Sequence, residues 1–222
     1  MIAVYIDILH ITSNILRDKA YLNSLPEFYE LEKTVENNAW HHNQNVLEHS
    51  IIVYAALETT LKDTFLALQQ QVKLDKYLSQ VISKKRRVDL LKIATLLHDL
   101  GKADTIIIDQ DGVTSCPKHE IVSAQKVKHF AKRFGLDTKE ESCIKRIVRY
   151  HSIGFGVLDS VITHGYSEIY VQSFKETVGD IAIELILLLR ADIMGTNLEI
   201  EDKKAFDDRI NIITWILEKL LA

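Results

Sequence analysis

Apolar residues recur at helical spacing along nearly the whole chain, and this pattern limits the fold more than any other feature. Residues three or four apart share one face of a helix. A half-buried strand would instead alternate apolar and polar residues, and the sequence has no convincing segment of that kind. Only two prolines, Pro26 and Pro117, interrupt the 222 residues. The sequence therefore predicts an all-α fold.

The same periodicity predicts approximate helix bounds. The helices are expected at residues 2–23, 27–37, 45–69, 73–82, 87–101, 117–134, 139–151, 168–177, 179–195 and 203–221. Pro117 falls in the first turn of its predicted helix, where a missing N–H is harmless. Thr138 and Glu141 fit a capping box at the next helix. Residues 106–117 are expected to form a loop, with a short strand pair around Asp111-Gly112.

Composition and charge argue against several classes of protein. The chain is 47% hydrophobic and 26% charged, which is ordinary for a globular protein. Its net charge of −4 argues against extended nucleic-acid binding, which needs a basic surface. The apolar run "IAIELILLLR" is far shorter than the roughly 20 residues of a membrane span. The first 19 residues predict an amphipathic helix rather than a signal peptide, so we expect a cytoplasmic protein without a membrane partner.

Five of the predicted helices each carry a histidine or an aspartate on an otherwise apolar face. These residues are His49, His98 with the adjacent Asp99, His119, His151 and Asp192. Burying one polar group without a partner costs roughly 2–7 kcal/mol, and burying a charge costs more. Any one of these residues alone would be interpreted as satisfied by local hydrogen bonds. Five in one core indicate a shared metal ion, because a cation compensates imidazoles and carboxylates together.

The adjacent pair His98-Asp99 fits the same interpretation. Consecutive helical residues point about 100° apart, so both side chains can reach a cation above the groove between them. The Asp99 carboxylate keeps a second oxygen with which to bridge to another ion. Imidazole and carboxylate without thiolate suit one or two divalent ions of Fe, Mn, Co, Ni or Zn, and Mg is also compatible. Cys116 and Cys143 have no CxxC spacing and are expected to be core residues.

The order of these residues matches a known pattern. His49 in "NQNVLEHS", His98-Asp99 in "LLHDLGK" and Asp192 in "LLRADIMG" follow the order H…HD…D. Between them, "DGVTSCPKHEIVSA" and "IVRYHS" contain two further histidines. The set resembles the HD superfamily of metal-dependent phosphohydrolases, in particular its stand-alone members and the HD portion of bacterial tRNA nucleotidyltransferases. The resemblance runs from about residue 42 to 195. It implies one HD-type helical domain over residues 1–222, with a buried metal site and with N- and C-terminal helices packed on the HD core.

The resemblance also implies a ligand set. One metal would be held by four residues, namely His49, His98, Asp99 and Asp192. A second would be held by His119 and His151, with Asp99 bridging the two ions. The chain departs from the HD-GYP cyclic-dinucleotide phosphodiesterases, since Ser152 follows His151 where those proteins have a second histidine. This departure disfavours a cyclic dinucleotide as substrate.

The predicted function is hydrolysis of a phosphomonoester or phosphodiester of a nucleotide-like substrate. A divalent metal can lower the pKa of bound water from 15.7 to about 7, which yields hydroxide at neutral pH. Two such ions would leave a positive pocket for a small, anionic, phosphate-containing substrate. Asp99 and Lys102 are the candidate catalytic residues, because Lys102 would meet a phosphate oxygen or stabilise the leaving group. The alternative for Lys102 is a solvated lysine at a helix C-terminus.

Several other residues have two interpretations each. His42 precedes His49 by two turns on the ligand face and is a candidate substrate contact or proton donor. Alternatively, His41 and His42 form a partly exposed cluster beside Trp40. Glu48 would accept an imidazole N–H from a metal-bound histidine or lie on the surface. Three arginines are candidates either for phosphate contacts or for surface ion pairs, namely Arg146, Arg149 and Arg190.

Two other functions remain open at this stage. An HD-fold di-iron oxygenase would have a similar ligand set but would require iron and oxygen-dependent chemistry. A nucleotide-binding sensor that has lost catalysis is the other alternative, although the complete ligand set speaks against it. The predicted C-terminal helix, residues 203–221, packs either on the core or on a second copy of the chain, which makes a homodimer a candidate assembly.

Overall fold

The computed structural model describes residues 5–222, and these residues are predominantly helical. The α-helices among them are α1 Ser13–Arg17, α2 Pro26–Tyr29, α3 Val46–Thr60, α4 Leu68–Leu78, α5 Arg87–Leu97, α6 Lys102–Thr105, α7 His119–Ala131, α8 Thr138–Tyr150, α9 Ile153–His164, α10 Glu168–Val178, α11 Ala182–Met194, α12 Leu198–Glu201 and α13 Lys203–Leu220. Short 3-10 helices span Ile8–His10, Glu30–Lys33 and Gly179–Ile181. The predicted all-α fold is confirmed.

The strands of the described residues are short and form three antiparallel pairs. They are β1 Val35–Glu36 with β2 Gln44–Asn45, β3 Val81–Ile82 with β4 Lys85–Arg86, and β5 Ile107–Ile108 with β6 Thr114–Ser115. The β5–β6 pair lies where the sequence predicted one, on either side of Asp111-Gly112. The register of β1 and β2 places Glu36 opposite Gln44.

Helix α11 lies at the centre of the fold. Five consecutive residues, Leu185 to Leu189, are each at most 1% exposed, and a helix that is apolar on every side is stable only when neighbours surround it. Helices α3, α9 and α13 pack against α11, while α5 and α7 pack against α8. Asp192 lies in the last turn of α11 and is partly exposed, between the buried residues Ala191 and Ile193. No helix in residues 5–222 has both the length and the apolar character to cross a bilayer.

The N-terminal prediction was wrong where the structure describes it. Instead of one helix over 2–23, the chain forms a 3-10 turn at Ile8–His10 and the short helix α1, while residues 2–4 lie outside the described residues. Side-chain caps separate the two, because Asp7 accepts from the Leu9 N–H and Thr12 from the Ile15 N–H. Local capping of this kind competes with a continuous helix.

Other helix bounds differ from the predictions for identifiable reasons. The segment predicted as one helix over 27–37 ends in β1, because Glu36 pairs with a strand that follows it. The capping box lies one residue earlier than predicted, between Asp137 and Glu140. Pro117 precedes α7 rather than standing in its first turn, since the left-handed residue Lys118 is the N-cap.

Helix α9 was absent from the predictions. Its sequence contains Gly154 and Gly156, which lower helix propensity. A Cβ at Gly154 would lie 3.2 Å from Leu189 Cδ2, so the missing side chain lets α9 approach α11 closely. Tertiary packing therefore overrides local propensity at this position.

Candidate metal centre

The candidate ligands lie at helix ends that converge on one cavity. His49 is in the first turn of α3, and His119 is the first residue of α7. His98 and His151 directly follow α5 and α8 as their C-caps. Asp192 is in the last turn of α11. The ends of five helices thus bring six polar side chains to the same place, since Asp99 directly follows His98 at the end of α5.

The first cluster contains His49, His98 and Asp192. Their ligating atoms lie within 4.8 Å of one another. The distance from His49 Nε2 to Asp192 Oδ1 is 3.0 Å. The two histidines are almost fully buried, whereas the Asp192 side chain is 16% exposed. Because the partly exposed Asp192 also lines the cavity, this cluster is accessible from the cavity.

The second cluster contains His119, His151 and Asp99, again within 4.8 Å of one another. The Nε2 atoms of the two histidines are 3.1 Å apart. Asp99 Oδ1 lies 3.3 Å from Nε2 of His119 and 3.8 Å from Nε2 of His151. The shared focus of these three groups is a second candidate position for a cation.

Asp99 connects the two clusters through its two oxygens. While Oδ1 faces the second cluster, Oδ2 lies 3.2 Å from His98 Nε2 and 3.6 Å from His49 Nε2. One carboxylate therefore has a different oxygen toward each group of imidazoles. This is the arrangement a bridging ligand requires.

The tautomers of the four histidines follow from their main-chain partners. The Nδ1 atoms of His98, His119 and His151 donate to the carbonyls of Thr95, Cys116 and Val148 at 2.7, 2.8 and 2.8 Å. His49 Nδ1 donates to the Gly195 carbonyl at 3.3 Å. Because a carbonyl can only accept, each Nδ1 carries a hydrogen, and a neutral ring then has a lone pair on Nε2. Such carbonyl partners are typical of metal-ligating histidines.

The Nε2 lone pairs require a positively charged group at the centre of the site. Lone pairs on His119 and His151 that face each other need either an extra proton or a metal cation between them. His98 Nε2 and Asp99 Oδ2 are also buried, and neither forms a hydrogen bond of good geometry with any residue that the structure describes. Buried polar atoms without partners are costly. The residues present therefore fit divalent metal ions.

Electrostatics prepare the ligands for this role. Burial raises the pKa of Asp99, but His98, Lys102 and His119 outweigh it and hold that pKa well below its usual range. Burial, together with His98 and His119, lowers the pKa of His151 to about 4. At neutral pH, Asp99 is therefore an ionised carboxylate and His151 a neutral imidazole. Both are the protonation states that bind metals.

Lys102 lies inside the site rather than in solvent. It is the first residue of α6 and is only 7% exposed. Its Nζ atom is 2.9 Å from Asp99 Oδ2 and 2.7 Å from Glu36 Oε2. The interpretation of Lys102 as a solvated lysine at a helix C-terminus was wrong, because the short helix α6 starts at this residue and turns it toward Asp99.

Glu36 and His41 were missed as site residues. Glu36 is 4% exposed and His41 is 7% exposed, and both line the cavity. The His41 ring centroid is 4.4 Å from that of His49, and its Nδ1 donates to Gln44 Oε1. The sequence predicts a helix over residues 27–37, whereas the structure places Glu36 on β1, so a helical period does not reveal its burial. His41 lies in a polar segment in which apolar residues do not recur at regular spacing, so the sequence does not reveal its burial.

Other candidates lie away from the ligands. His42 precedes α3, is exposed and contacts Glu201 at 3.1 Å, so its placement on the ligand face was wrong. Glu48 pairs with Arg17 on the surface.

The three candidate arginines have protein partners. Arg146 pairs with Asp180, Arg149 pairs with Glu120, and Arg190 stacks on Phe65. Cys143 is buried as expected, whereas Cys116 lines the cavity.

The cavity above the ligands has a volume of about 420 Å³. Asp99, His119, His151 and Asp192 lie among its lining residues. Two aromatic residues, Trp40 and Phe155, contribute further wall. Small-molecule sites have typical volumes of about 300–1,000 Å³ and combine apolar walls with a few polar groups. The cavity therefore has the size and lining for a small ligand.

A helical fold with imidazoles and carboxylates converging at helix ends is the arrangement that the resemblance to HD domains led us to expect. The family model described as HD domain matches residues 46–197, and the chain belongs to this family. The resemblance inferred from the sequence is thereby confirmed. The chain is also similar to a bifunctional uridylyltransferase/uridylyl-removing enzyme of Cereibacter sphaeroides, with 29% identity over 130 residues. That match covers 57% of this chain and 12% of the relative.

Proposed function

We propose that the protein is a metal-dependent phosphohydrolase that cleaves a phosphomonoester or phosphodiester of a small, nucleotide-like substrate. The observation that carries this proposal is the position of Asp99 between two imidazole clusters at the base of a cavity. Paired divalent ions are suited to phosphoryl transfer, because they polarise the phosphoryl oxygens and lower the pKa of the attacking water.

The charges of the cavity make anion binding depend on the cations. Three carboxylates line it, those of Glu36, Asp99 and Asp192, against the single ammonium of Lys102. When its imidazoles are neutral, the protein alone therefore repels a phosphate. One divalent ion would neutralise the cavity, and two would make it positive.

The wall residues support an organic substrate rather than a bare phosphate. Trp40 is 42% exposed although it borders the cavity, and Phe155 is another aromatic wall residue. Aromatic faces stack with nucleobases for about 1–3 kcal/mol each. The name of the relative includes removal of a uridylyl group, which is a nucleotide unit. Both facts support a nucleotide-like substrate.

The test begins with the metal content of the purified protein, measured by mass spectrometry of the elements. The chelated protein is then reloaded with Mn, Mg, Ni, Co or Zn and assayed on p-nitrophenyl phosphate, bis-p-nitrophenyl phosphate and a nucleotide panel. We expect hydrolysis that requires metal and is lost in Asp99→Asn. The matched control is Asp207→Asn, which changes an exposed carboxylate on α13.

Three results would overturn the proposal. A protein that holds no metal and ignores added metal would contradict the site itself. Bound iron with oxygen-dependent chemistry and no phosphoester turnover would support an oxygenase. Nucleotide binding without turnover under any metal would support a sensor.

A further inference from the structure

Lys102 is held by two carboxylates, one inside the family match and one outside it. Asp99 is three residues before it, whereas Glu36 is 66 residues before it and lies outside the matched residues 46–197. Both contacts are short, at 2.9 and 2.7 Å. An ammonium has three donors. Glu36 accepts a hydrogen bond from Lys102, whereas Asp99 forms an ion pair with it. An N–H that neither carboxylate takes is available to a ligand in the cavity that Lys102 lines.

The backbone around Glu36 fixes the position of its carboxylate. Strand β1 pairs with β2, and the Val46 N–H donates to the Thr34 carbonyl at 2.8 Å. On the other side, the Asn37 N–H donates to Thr114 Oγ1 at 2.7 Å, and the Thr114 N–H donates to the Asn37 carbonyl at 2.9 Å. Glu36 is therefore tied both to the strand before α3 and to the β5–β6 hairpin. A carboxylate fixed from both sides can hold another side chain in place.

A buried second carboxylate is not needed to neutralise Asp99. Lys102 alone would suffice for that, and burying another charge costs free energy. Glu36 becomes necessary when Asp99 uses its oxygens for cations, because the attraction between the Asp99 carboxylate and the Lys102 ammonium is then weaker. With Glu36 present, Lys102 keeps one full ionic contact at the cavity wall.

From these contacts we infer that Glu36 is a positioning residue, which holds the Lys102 ammonium at the cavity wall so that its remaining N–H contacts a phosphate oxygen of the substrate. This inference rests on the proposed function. Glu36 touches neither substrate nor cation in this role and acts through Lys102.

The first experiment observes the ammonium directly, without substrate or metal. In metal-free protein labelled with ¹⁵N, a lysine ammonium held by two carboxylates exchanges slowly enough to give a side-chain ¹H–¹⁵N signal. The Lys102 signal is assigned by its absence in Lys102→Met. We expect the signal to broaden beyond detection in Glu36→Gln and to persist in Glu32→Gln, which removes an exposed Lys–Glu pair. A Lys102 signal unchanged in Glu36→Gln would overturn the inference.

The second experiment measures binding of inorganic phosphate to the metal-loaded protein by calorimetry. Hydrogen bonds to charged groups contribute enough that we expect about tenfold weaker binding in Glu36→Gln, with unchanged metal content. In a Lys102→Met background, Glu36→Gln is expected to cause no further loss. An equal loss in both backgrounds would show that Glu36 acts independently of Lys102 and would contradict the inference.

The two experiments separate this inference from the proposed function. If the wild-type protein binds metal but neither binds phosphate nor hydrolyses phosphoesters, the proposed function fails, and with it the phosphate contact. The ammonium signal still decides whether Glu36 holds Lys102. If the wild-type protein hydrolyses phosphoesters and Glu36→Gln does so with the same KM, only the inference fails. Should Glu36→Gln fold poorly, the double variant Glu36→Gln/Lys102→Met removes both charges together and supplies the folded reference.

Discussion

The Nε2 atoms of His119 and His151 lie 3.1 Å apart, although each ring uses its hydrogen on Nδ1 to donate to a main-chain carbonyl. Two neutral rings in this arrangement would repel, so the contact needs a positive charge. The pKa directions show how the metal-free protein supplies it. Burial lowers the pKa of His119, but Asp99 raises it overall, whereas the pKa of His151 is lowered to about 4. A proton on His119 can therefore be donated to His151 until a cation replaces it.

The first prediction concerns metal stoichiometry. We expect two divalent ions per chain in the wild-type protein, one in His151→Ala and fewer than one in Asp99→Ala, because His151 serves one cluster and Asp99 serves both. Elemental analysis after gel filtration measures these values. The control is His164→Ala, an exposed histidine that should retain both ions. Equal losses in His151→Ala and Asp99→Ala would contradict the bridging role.

The second prediction concerns the pH dependence of metal affinity. Asp99 raises the pKa of both His98 and His119 above the ordinary value of 6.5, against the opposing effect of burial. A raised pKa means that protons persist on these rings to higher pH, so metal must displace them, and affinity falls as the solution is acidified. The expected fall is about tenfold per pH unit for each proton displaced. His151 adds little above its own pKa of about 4.

Calorimetry in buffers with different ionisation enthalpies counts the protons released on metal binding. We expect the count to rise as the pH is lowered from 8 to 6. A metal affinity that stays constant over this range, with no proton release, would show that the two imidazoles are already free of the extra proton.

The third prediction concerns Trp40. Because this side chain borders the cavity, a bound nucleotide should stack on it and quench its fluorescence. The chain contains only one other tryptophan, Trp215, which contacts Tyr166 on a different part of the surface. We expect quenching to survive in Trp215→Phe and to be lost in Trp40→Ala, with affinity reduced about tenfold, as loss of base stacking implies. Quenching retained in Trp40→Ala would remove Trp40 from the binding site.

The sequence was sufficient to find the six candidate ligands but not the groups around them. His49, His98, His151 and Asp192 each share a helix face with apolar residues, so the burial of His49 or Asp192 could be inferred from residues three and four positions away. Glu36 has no such signal. It lies on a two-residue strand whose partner, Gln44, follows after an irregular turn, and such pairing depends on tertiary contacts. The same limit explains why His41 and His42 could not be separated, although one is buried and the other exposed.

Outside the N-terminus, helix content was predictable where the apolar period was long and nearly continuous. Helix α11 has a nearly continuous apolar sequence, and its prediction differs from the structure by a few residues at the start. Helix α9 was missed because glycine lowers helix propensity, while its close approach to Leu189 is visible only in three dimensions. At the N-terminus, the caps formed by Asp7 and Thr12 compete with an apolar period that suggested a longer helix.

The fourth prediction concerns Gly101, which lies between Asp99 and Lys102 in "LLHDLGK". A Cβ at this position would be 2.3 Å from the His119 carbonyl oxygen and 2.7 Å from the Ser123 N, and backbone atoms cannot yield as a flexible side chain does. The Gly101 N–H also donates to Ser123 Oγ at 2.8 Å. This close approach brings the start of α7, and with it His119, next to Asp99.

Gly101→Ala should therefore push α7 away and lower the free energy of unfolding by roughly 1–3 kcal/mol. The matched control is Gly156→Ala on α9, where a Cβ meets no atom within 4 Å and the better helix former should stabilise the protein by about 0.5–1 kcal/mol. Urea denaturation of the metal-free proteins measures both changes, and metal titration should show weaker binding only in Gly101→Ala. If Gly101→Ala unfolds and binds metal like the wild-type protein, this glycine does not set the distance between Asp99 and His119.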